Sequence, residues 1–262
     1  MNRVLPRAAR PIRRLIKQVG RGGRPYHLPK ELLPNDLFLV SLPRSGSSWT
    51  RLLIANYLTG GECSPDQLDS VLPDIHEDPS ISEEALSPRF IKSHMPFVPE
   101  YGRVVYHARG ERDVAVSYYY WHMRQGVLAP ETPLGVFLQS FNRGSIPFGS
   151  WSQHAESWLE NAPSEFLVSR YEDQREDPTQ ALLRIVEFAG LEVDPSLAQL
   201  AVSRSSIGTW RAAEASVGEL ASPESGSGSL FARSGTVGSS QTTSQKARWT
   251  SPSPSMVRPF GD

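Results

Sequence analysis

A single cysteine, Cys63, in 262 residues rules out an internal disulfide and leaves the chain compatible with a reducing compartment. No apolar run approaches the ~18 residues of a membrane span. Arginines interrupt the stretch that a secretory leader would need, so a cytoplasmic protein is expected. Net charge is also lacking: a formal -1 favours no strongly electrostatic partner, and none of nucleic acid is expected. No metal-ligand cluster can be read from the spacing of His, Cys, Asp and Glu. The Gly-Lys-Ser/Thr of a nucleoside-triphosphate loop is missing as well.

What is present is unevenly distributed. Residues 1–24 carry Arg3, Arg7, Arg10, Arg13, Arg14, Lys17, Arg21 and Arg24 with no acidic residue. They read as a disordered basic arm, able at most to touch an anionic membrane surface weakly. Residues 239–262 are rich in Ser and Pro and read as a disordered tail. Between them, 25–238 is long enough for one domain with a substantial core.

Within that domain, short apolar runs alternate with helical patterns. Asp36–Val40, Arg89–His94, Gly102–Arg109 and Glu165–Asp173 read as strands. Helices are expected from Ser48 to a stop at Gly60 and Gly61, over Glu111–Met123, from Ser150 to just before Pro163, and over Asp177–Leu191. Ser64–Pro88 reads as a long surface excursion and Gly126–Ser150 as a loop. The alternation predicts an α/β fold: a P-loop-like domain with a central parallel sheet covered by helices on both faces. Such sheets bind ligands beyond the carboxyl ends of their strands, where Arg44, His94 and Arg109 fall.

The stretch "FLVSLPRSGSSWTRLLIANYL", Phe38–Leu58, is a strand, a small-residue loop and a helix. That layout lets backbone N–H groups and a helix N-terminus receive a phosphate or sulfate. Ser45, Gly46, Ser47 and Ser48 add hydroxyls and room for close approach, Arg44 adds a permanent bidentate cation, and Trp49 offers a surface for a base. Arg109 taken alone is equally well a surface cation, and His94 taken alone a satisfied polar group.

"LPRSGSSW" resembles the 5′-phosphosulfate loop of the sulfotransferases that use 3′-phosphoadenosine 5′-phosphosulfate (PAPS), usually P-K-S-G-T-T-W. "VVYHARGERDVAVSYYYWHM" is similar to that family's 3′-phosphate motif, in which an Arg ends a strand and a Ser follows eight residues later: Arg109 and Ser117. "IKSHMP" resembles its K-x-H-x-P segment, and "GSWSQHAESWL" and "SRYEDQREDPTQALLRIVEFAGL" continue the likeness in order, over roughly Asp36–Leu191. The resemblance implies sulfuryl transfer from PAPS to a hydroxyl or amine of a small-molecule or carbohydrate acceptor, releasing adenosine 3′,5′-bisphosphate and needing no metal.

It implies His94 as general base, with Arg44 and Lys92 stabilising the leaving phosphate. Cofactor contacts would come from Arg44, Ser45, Gly46, Ser47, Ser48, Trp49, Arg109 and Ser117. Tyr171 matches the family's adenine contact, though a core aromatic is also open. Ser205, with Ser206, matches a purine-side Thr-Ser-Phe. His154 and Trp151 either line the acceptor pocket or pack the helix. "FARSGTVGSSQTTSQ" resembles the family's R-K-G-x-x-G-x-W-K cap, keeping Arg233 and Gly235, but Ser234 replaces the Lys and Ser240-Gln241 the Trp-Lys. Weaker cofactor binding is the expected result. The rival readings are a nucleotide kinase and a cofactor-binding remnant without catalysis.

Overall fold

The computed structural model describes residues 28–77, 81, 88–206 and 208–209. Four strands form one parallel sheet: β1 Leu37–Val40, β2 Phe90–Ser93, β3 Arg103–Ala108 and β4 Glu165–Arg170, in the order β2-β1-β3-β4. Val40 pairs with Ser93 on one side and Tyr106 on the other. The carboxyl ends of β2, β1 and β3 therefore lie side by side along one edge.

Side-chain alternation divides the core between the two faces. Leu37, Leu39 and Val105 face Leu52 and Leu53 of α1 (Ser47–Leu58). They also meet Leu182, Ile185 and Val186 of the amphipathic helix Pro178–Phe188 and Ala198 and Ala201 of the helix Pro195–Arg204. Phe38, Val40, Val104 and Tyr106 face the other way, towards Tyr101 and towards Ala155 and Trp158 of the helix Trp151–Glu160. Phe38 stacks on Tyr101 with ring centroids 3.6 Å apart, and the buried Trp158 gives its N–H to Met95 C=O at 3.0 Å. At the opposite end of β1, Arg89 clamps Asp36 with two hydrogen bonds of 2.7 Å, both side chains buried.

In chain order the helices are α1, α2 (Leu68–Val71), α3 (Glu111–Arg124), α4 (Leu134–Asn142), α5 (Trp151–Glu160), α6 (Tyr171–Glu176), α7 (Pro178–Phe188) and α8 (Pro195–Arg204). Among the described residues, no helix is long and apolar enough to cross a membrane.

Four sequence expectations are corrected. The last strand stops at Arg170, not Asp173, because Tyr171 opens α6 with Glu172 and Asp173 in its first turn, where carboxylates favour a helix N-terminus. Gly126–Ser150 is not only loop: Phe137, Leu138 and Phe141 make α4 an apolar cover for Val114 and Tyr118 of α3. Nor is Ser64–Pro88 merely a surface excursion, since Leu68, Leu72 and Ile75 are buried and Asp74 bridges Lys92 in parallel with β2. Helix α8 was missed although Asp194 caps it by accepting from the N–H groups of Ser196 and Leu197, with Pro195 as its first residue.

Candidate active site

The loop leaving β1 makes two unusual backbone turns before α1 begins. Arg44 has φ +73° and Gly46 φ +102°. At Gly46 a Cβ would lie 2.5 Å from Tyr171 Cδ2, so glycine alone fits between this loop and the start of α6. Ser45 and Ser47 are buried, Ser48 half-buried. The first N–H groups of α1 have no intrahelical carbonyl to bond, and the positive end of the helix dipole falls here.

Side chains from α3, from the end of β3 and from α6 converge on this loop. Arg44 donates from Nε to Ser117 Oγ at 3.3 Å, tying it to α3. Arg109, just past β3, donates from Nη1 to Arg44 C=O at 3.4 Å and lies 3.8 Å from the Asp113 carboxylate. Its guanidinium stands 4.2 Å above the Tyr171 ring, and its carbonyl accepts the Trp151 indole N–H at 2.8 Å. Trp151 thus packs against the site rather than presenting its polar edge elsewhere. Tyr171 also meets Trp49 edge-on, centroids 6.0 Å apart, and is itself buried. Behind the loop, Thr50 donates to Gln174 Oε1 at 3.0 Å and contacts His107 Nε2 at 3.3 Å. Burial, then the nearby Arg109 charge, push His107 down to about 3.

His94 follows β2 directly, one strand away from the loop. Its Nδ1 lies 2.6 Å from Ser41 C=O. A carbonyl only accepts, so Nδ1 carries the proton and Nε2 keeps the lone pair. The His94 peptide is held on both sides: its N–H donates to His76 Nε2 at 2.8 Å, and its carbonyl accepts from His154 Nε2 at 3.1 Å. His154 is fully buried, with Nδ1 3.0 Å from the Tyr106 hydroxyl, so it packs α5 instead of lining a pocket. His76 and Phe148 flank the His94 ring at centroid distances of 5.6 and 5.5 Å. Burial, reinforced by the Lys92 charge, holds the His94 imidazole well below its usual range despite Asp74.

Lys92 occupies the same side of β2 two residues earlier, buried and ion-paired with Asp74. Burial pushes the Asp74 carboxyl up, but Lys92, His94 and His76 more than offset it, and the net effect is downward. Burial lowers the Lys92 ammonium too, opposed by Asp74. Neither Asp74 nor His76 was singled out from sequence. Both enter because Lys92 exchanges backbone hydrogen bonds with Pro73 and Ile75 at 2.9 and 3.1 Å.

Ser205 is fully buried, and its Oγ accepts from Asn56 Nδ2 at 3.2 Å on the far half of α1. Its neighbour Ser206 is the exposed one, bonded to Thr209 at 3.0 Å. Arg233, Gly235 and the altered cap around them lie outside the described residues, as do the basic arm and the tail.

The sulfotransferase-domain family model matches residues 34–243. Sulfotransferase 1E1 of Rattus norvegicus is 31% identical over 185 residues, 64% of this chain and 62% of that protein. Sulfotransferase 2A6 of the same species is 30% identical over 209 residues, 69% and 72% of the two chains. The chain thus matches less than two thirds of the length of the first of these relatives. Among solved structures, retinol dehydratase in complex with androsterone and inactive cofactor PAP superposes with a TM-score of 0.64 at 19% identity, covering 81% of this chain and 77% of that one. A mouse sulfotransferase, SULT7A1, complexed with PAP gives 0.62 at 23% identity, covering 81% and 78%. These structural likenesses speak to the fold, and the family model speaks to descent: this chain belongs to the sulfotransferase-domain family.

Proposed function

We propose that this protein moves the sulfuryl group of PAPS to a hydroxyl of a small-molecule acceptor and releases adenosine 3′,5′-bisphosphate. The observation that carries the reading is the tautomer of His94. With Nδ1–H fixed on Ser41 C=O, the basic Nε2 belongs to a neutral imidazole beside a loop rich in anion donors. The depressed imidazole keeps that base unprotonated at neutral pH.

The donor set suits a nucleotide carrying phosphate at both ends. The Gly46 cradle admits backbone close to an anion, while Arg109 and Ser117 offer a cation and a hydroxyl beside it. In this reading Arg44 to Ser48 hold the 5′-phosphosulfate, and Arg109 and Ser117 read the 3′-phosphate. Ser206 replaces Ser205 as the purine-side hydroxyl. Tyr171, capped by Arg109, acts through packing and through the face it lends to the nucleoside. PAPS supplies an activated sulfur. The bond from that sulfur to the acceptor oxygen forms as its bond to the bridging phosphate oxygen breaks, and the acceptor proton passes to His94 Nε2. Arg44 carries most of the stabilisation of the leaving phosphate, because Lys92 shares its charge with Asp74. The His76 and Phe148 rings beside His94 favour an acceptor with an apolar body, consistent with the androsterone and retinol named for the structural neighbours.

The test is transfer of radiolabelled sulfate from PAPS to a panel of phenols, alcohols, amines and sugars, with and without EDTA. EDTA-insensitive transfer that falls by about two to four orders of magnitude in His94→Ala, with product-nucleotide affinity retained, is the expected result. Tight binding of adenosine 3′,5′-bisphosphate without transfer to any acceptor would instead identify a binding remnant.

A further inference from the structure

We propose that His76 is a positioning residue for His94, holding its peptide through an unprotonated Nε2, and that the first proton taken up by this imidazole pair on acidification lodges on His76 and releases that hold. The proposal rests on His94 being the base.

The hydrogen bond fixes the tautomer. The His94 backbone N–H can only donate, so His76 Nε2 at 2.8 Å must present its lone pair. A neutral His76 therefore carries its proton on Nδ1. A protonated His76 has N–H on both ring nitrogens, and a donor then faces the His94 N–H. The bond is lost, and with it one of the two grips on the peptide. The other grip, His154 Nε2–H on the His94 carbonyl, lies in the core.

The groups around the pair decide which ring protonates first. On its own turn, His76 has Asp74, whose Oδ1 accepts the His76 backbone N–H at 3.1 Å. From β2 comes Lys92, paired with that same carboxylate, and directly after the strand comes His94, whose ring lies nearly parallel to His76 at an interplanar angle of 12°. Phe148, from the segment before α5, touches both rings and carries no charge, and its backbone is held at φ +71°. From α5, His154 stands behind the His94 carbonyl. The Asp74 carboxylate acts on both rings, while the Lys92 ammonium, two residues before His94, opposes a further positive charge on His94. Two parallel imidazoles 5.6 Å apart do not readily share a second charge, so the first proton excludes the next. The strong downward push on His94 from burial and Lys92 agrees with this order. Acid inactivation then reports loosening of the base before the base itself titrates.

The decisive measurement uses the full chain without ligand. Ring 15N and Hε1 resonances of its six histidines are followed from pH 8 to pH 5. His76 is expected as the Nδ1–H tautomer at pH 8 and to protonate before His94. An Nε2–H tautomer at His76, or His94 protonating first, overturns the proposal. Turnover of PAPS with 2-naphthol supplies the second readout. His76→Leu, which cannot accept the N–H, should lose about tenfold or more in kcat with little change in KM for PAPS. His76→Gln, whose carbonyl can accept but cannot titrate, should recover most of that loss and move the acid limb of kcat to lower pH. A Leu variant with wild-type kcat, or a Gln variant with an unmoved acid limb, refutes the positioning role. If the wild type transfers nothing to any acceptor, the sulfotransferase reading fails, while the resonance titration still decides the state of His76.

Discussion

Replacing Gly46 by alanine asks more of this molecule than any other one-methyl change in the loop. The residue sits at φ +102°, where an L side chain costs ~1–2 kcal/mol. The added Cβ would also lie 2.5 Å from Tyr171 Cδ2, against 3.4 Å for the lower edge of ordinary contact. The ring must therefore retreat by 3.4 − 2.5 = 0.9 Å. Tyr171 is not free to do so, with Arg109 stacked on it at 4.2 Å and Trp49 at its edge. Overpacking of this kind costs ~1–3 kcal/mol, so Gly46→Ala should lose ~2–5 kcal/mol of stability in all. Gly60→Ala is the control: φ is +66° but nothing lies within 4 Å, so only the conformational share, ~1 kcal/mol, should appear. Urea unfolding of Gly46→Ala, Tyr171→Ala and the double variant isolates the contact, which should emerge as a coupling above ~1 kcal/mol. Calorimetry should show weaker binding of adenosine 3′,5′-bisphosphate as the loop and Arg109 shift together. If Gly46→Ala is no worse than Gly60→Ala, and additive with Tyr171→Ala, the argument for a cradle closed by Tyr171 is wrong.

Arg109→Ala and Ser117→Ala should each weaken adenosine 3′,5′-bisphosphate by about ten- to a hundredfold while hardly altering adenosine 5′-phosphate, as titration calorimetry can show; equal losses would make both residues structural. Arg44→Ala should depress sulfate transfer by roughly two orders of magnitude, whereas Arg44→Lys, which keeps the charge, should retain substantial turnover; identical rates for both would remove the leaving-group role. His107, His122 and His154 are buried, and burial lowers them to about 3, 4 and 4. Below their ordinary 6.5 the unfolded chain binds protons that the folded chain refuses, so stability is full above that pH and falls on acidification. Each should cost up to ~2 kcal/mol by pH 5, and an unchanged urea midpoint from pH 7 to pH 5 would contradict their burial as neutral rings.

The strand–loop–helix at Leu37–Leu58 was legible because its chemistry is local: an apolar run, small residues, then helical spacing. The strands at Phe90–Ser93 and Arg103–Ala108 were legible for the same reason, and parallel pairing then sets Arg44, His94 and Arg109 along one edge. What stayed hidden depends on distant partners. Asp74 and His76 lie in a segment without periodicity, and only backbone pairing with Lys92 brings them to His94. The apolar residues of α4 follow the helix-unfriendly punctuation of Gly126, Pro130 and Pro133, which masked a short helix whose reason to exist is the exposed flank of α3. Ser205 and Ser206 are indistinguishable in text, yet one residue of helical rotation at the end of α8 turns one towards Asn56 and leaves the other exposed.

The strand order has a kinetic consequence. Among the described residues β1 is the earliest strand, yet it has a neighbour on each side, and both arrive late: Phe90, 90 − 37 = 53 residues after its partner Leu37, and Val104, 104 − 38 = 66 residues after Phe38. While the chain is being synthesised, Leu37–Val40 must wait, all four residues apolar and unpaired, until both flanking strands have emerged. Contacts of such long sequence separation are slow to form, and a strand with two open edges is a target for wrong pairing meanwhile. Helix α1, contiguous with β1, is the local element able to shelter its Leu37 and Leu39 side chains during that interval. Substitutions at Leu52 or Leu53 should accordingly lower soluble yield during expression more than their effect on the finished protein's stability would suggest.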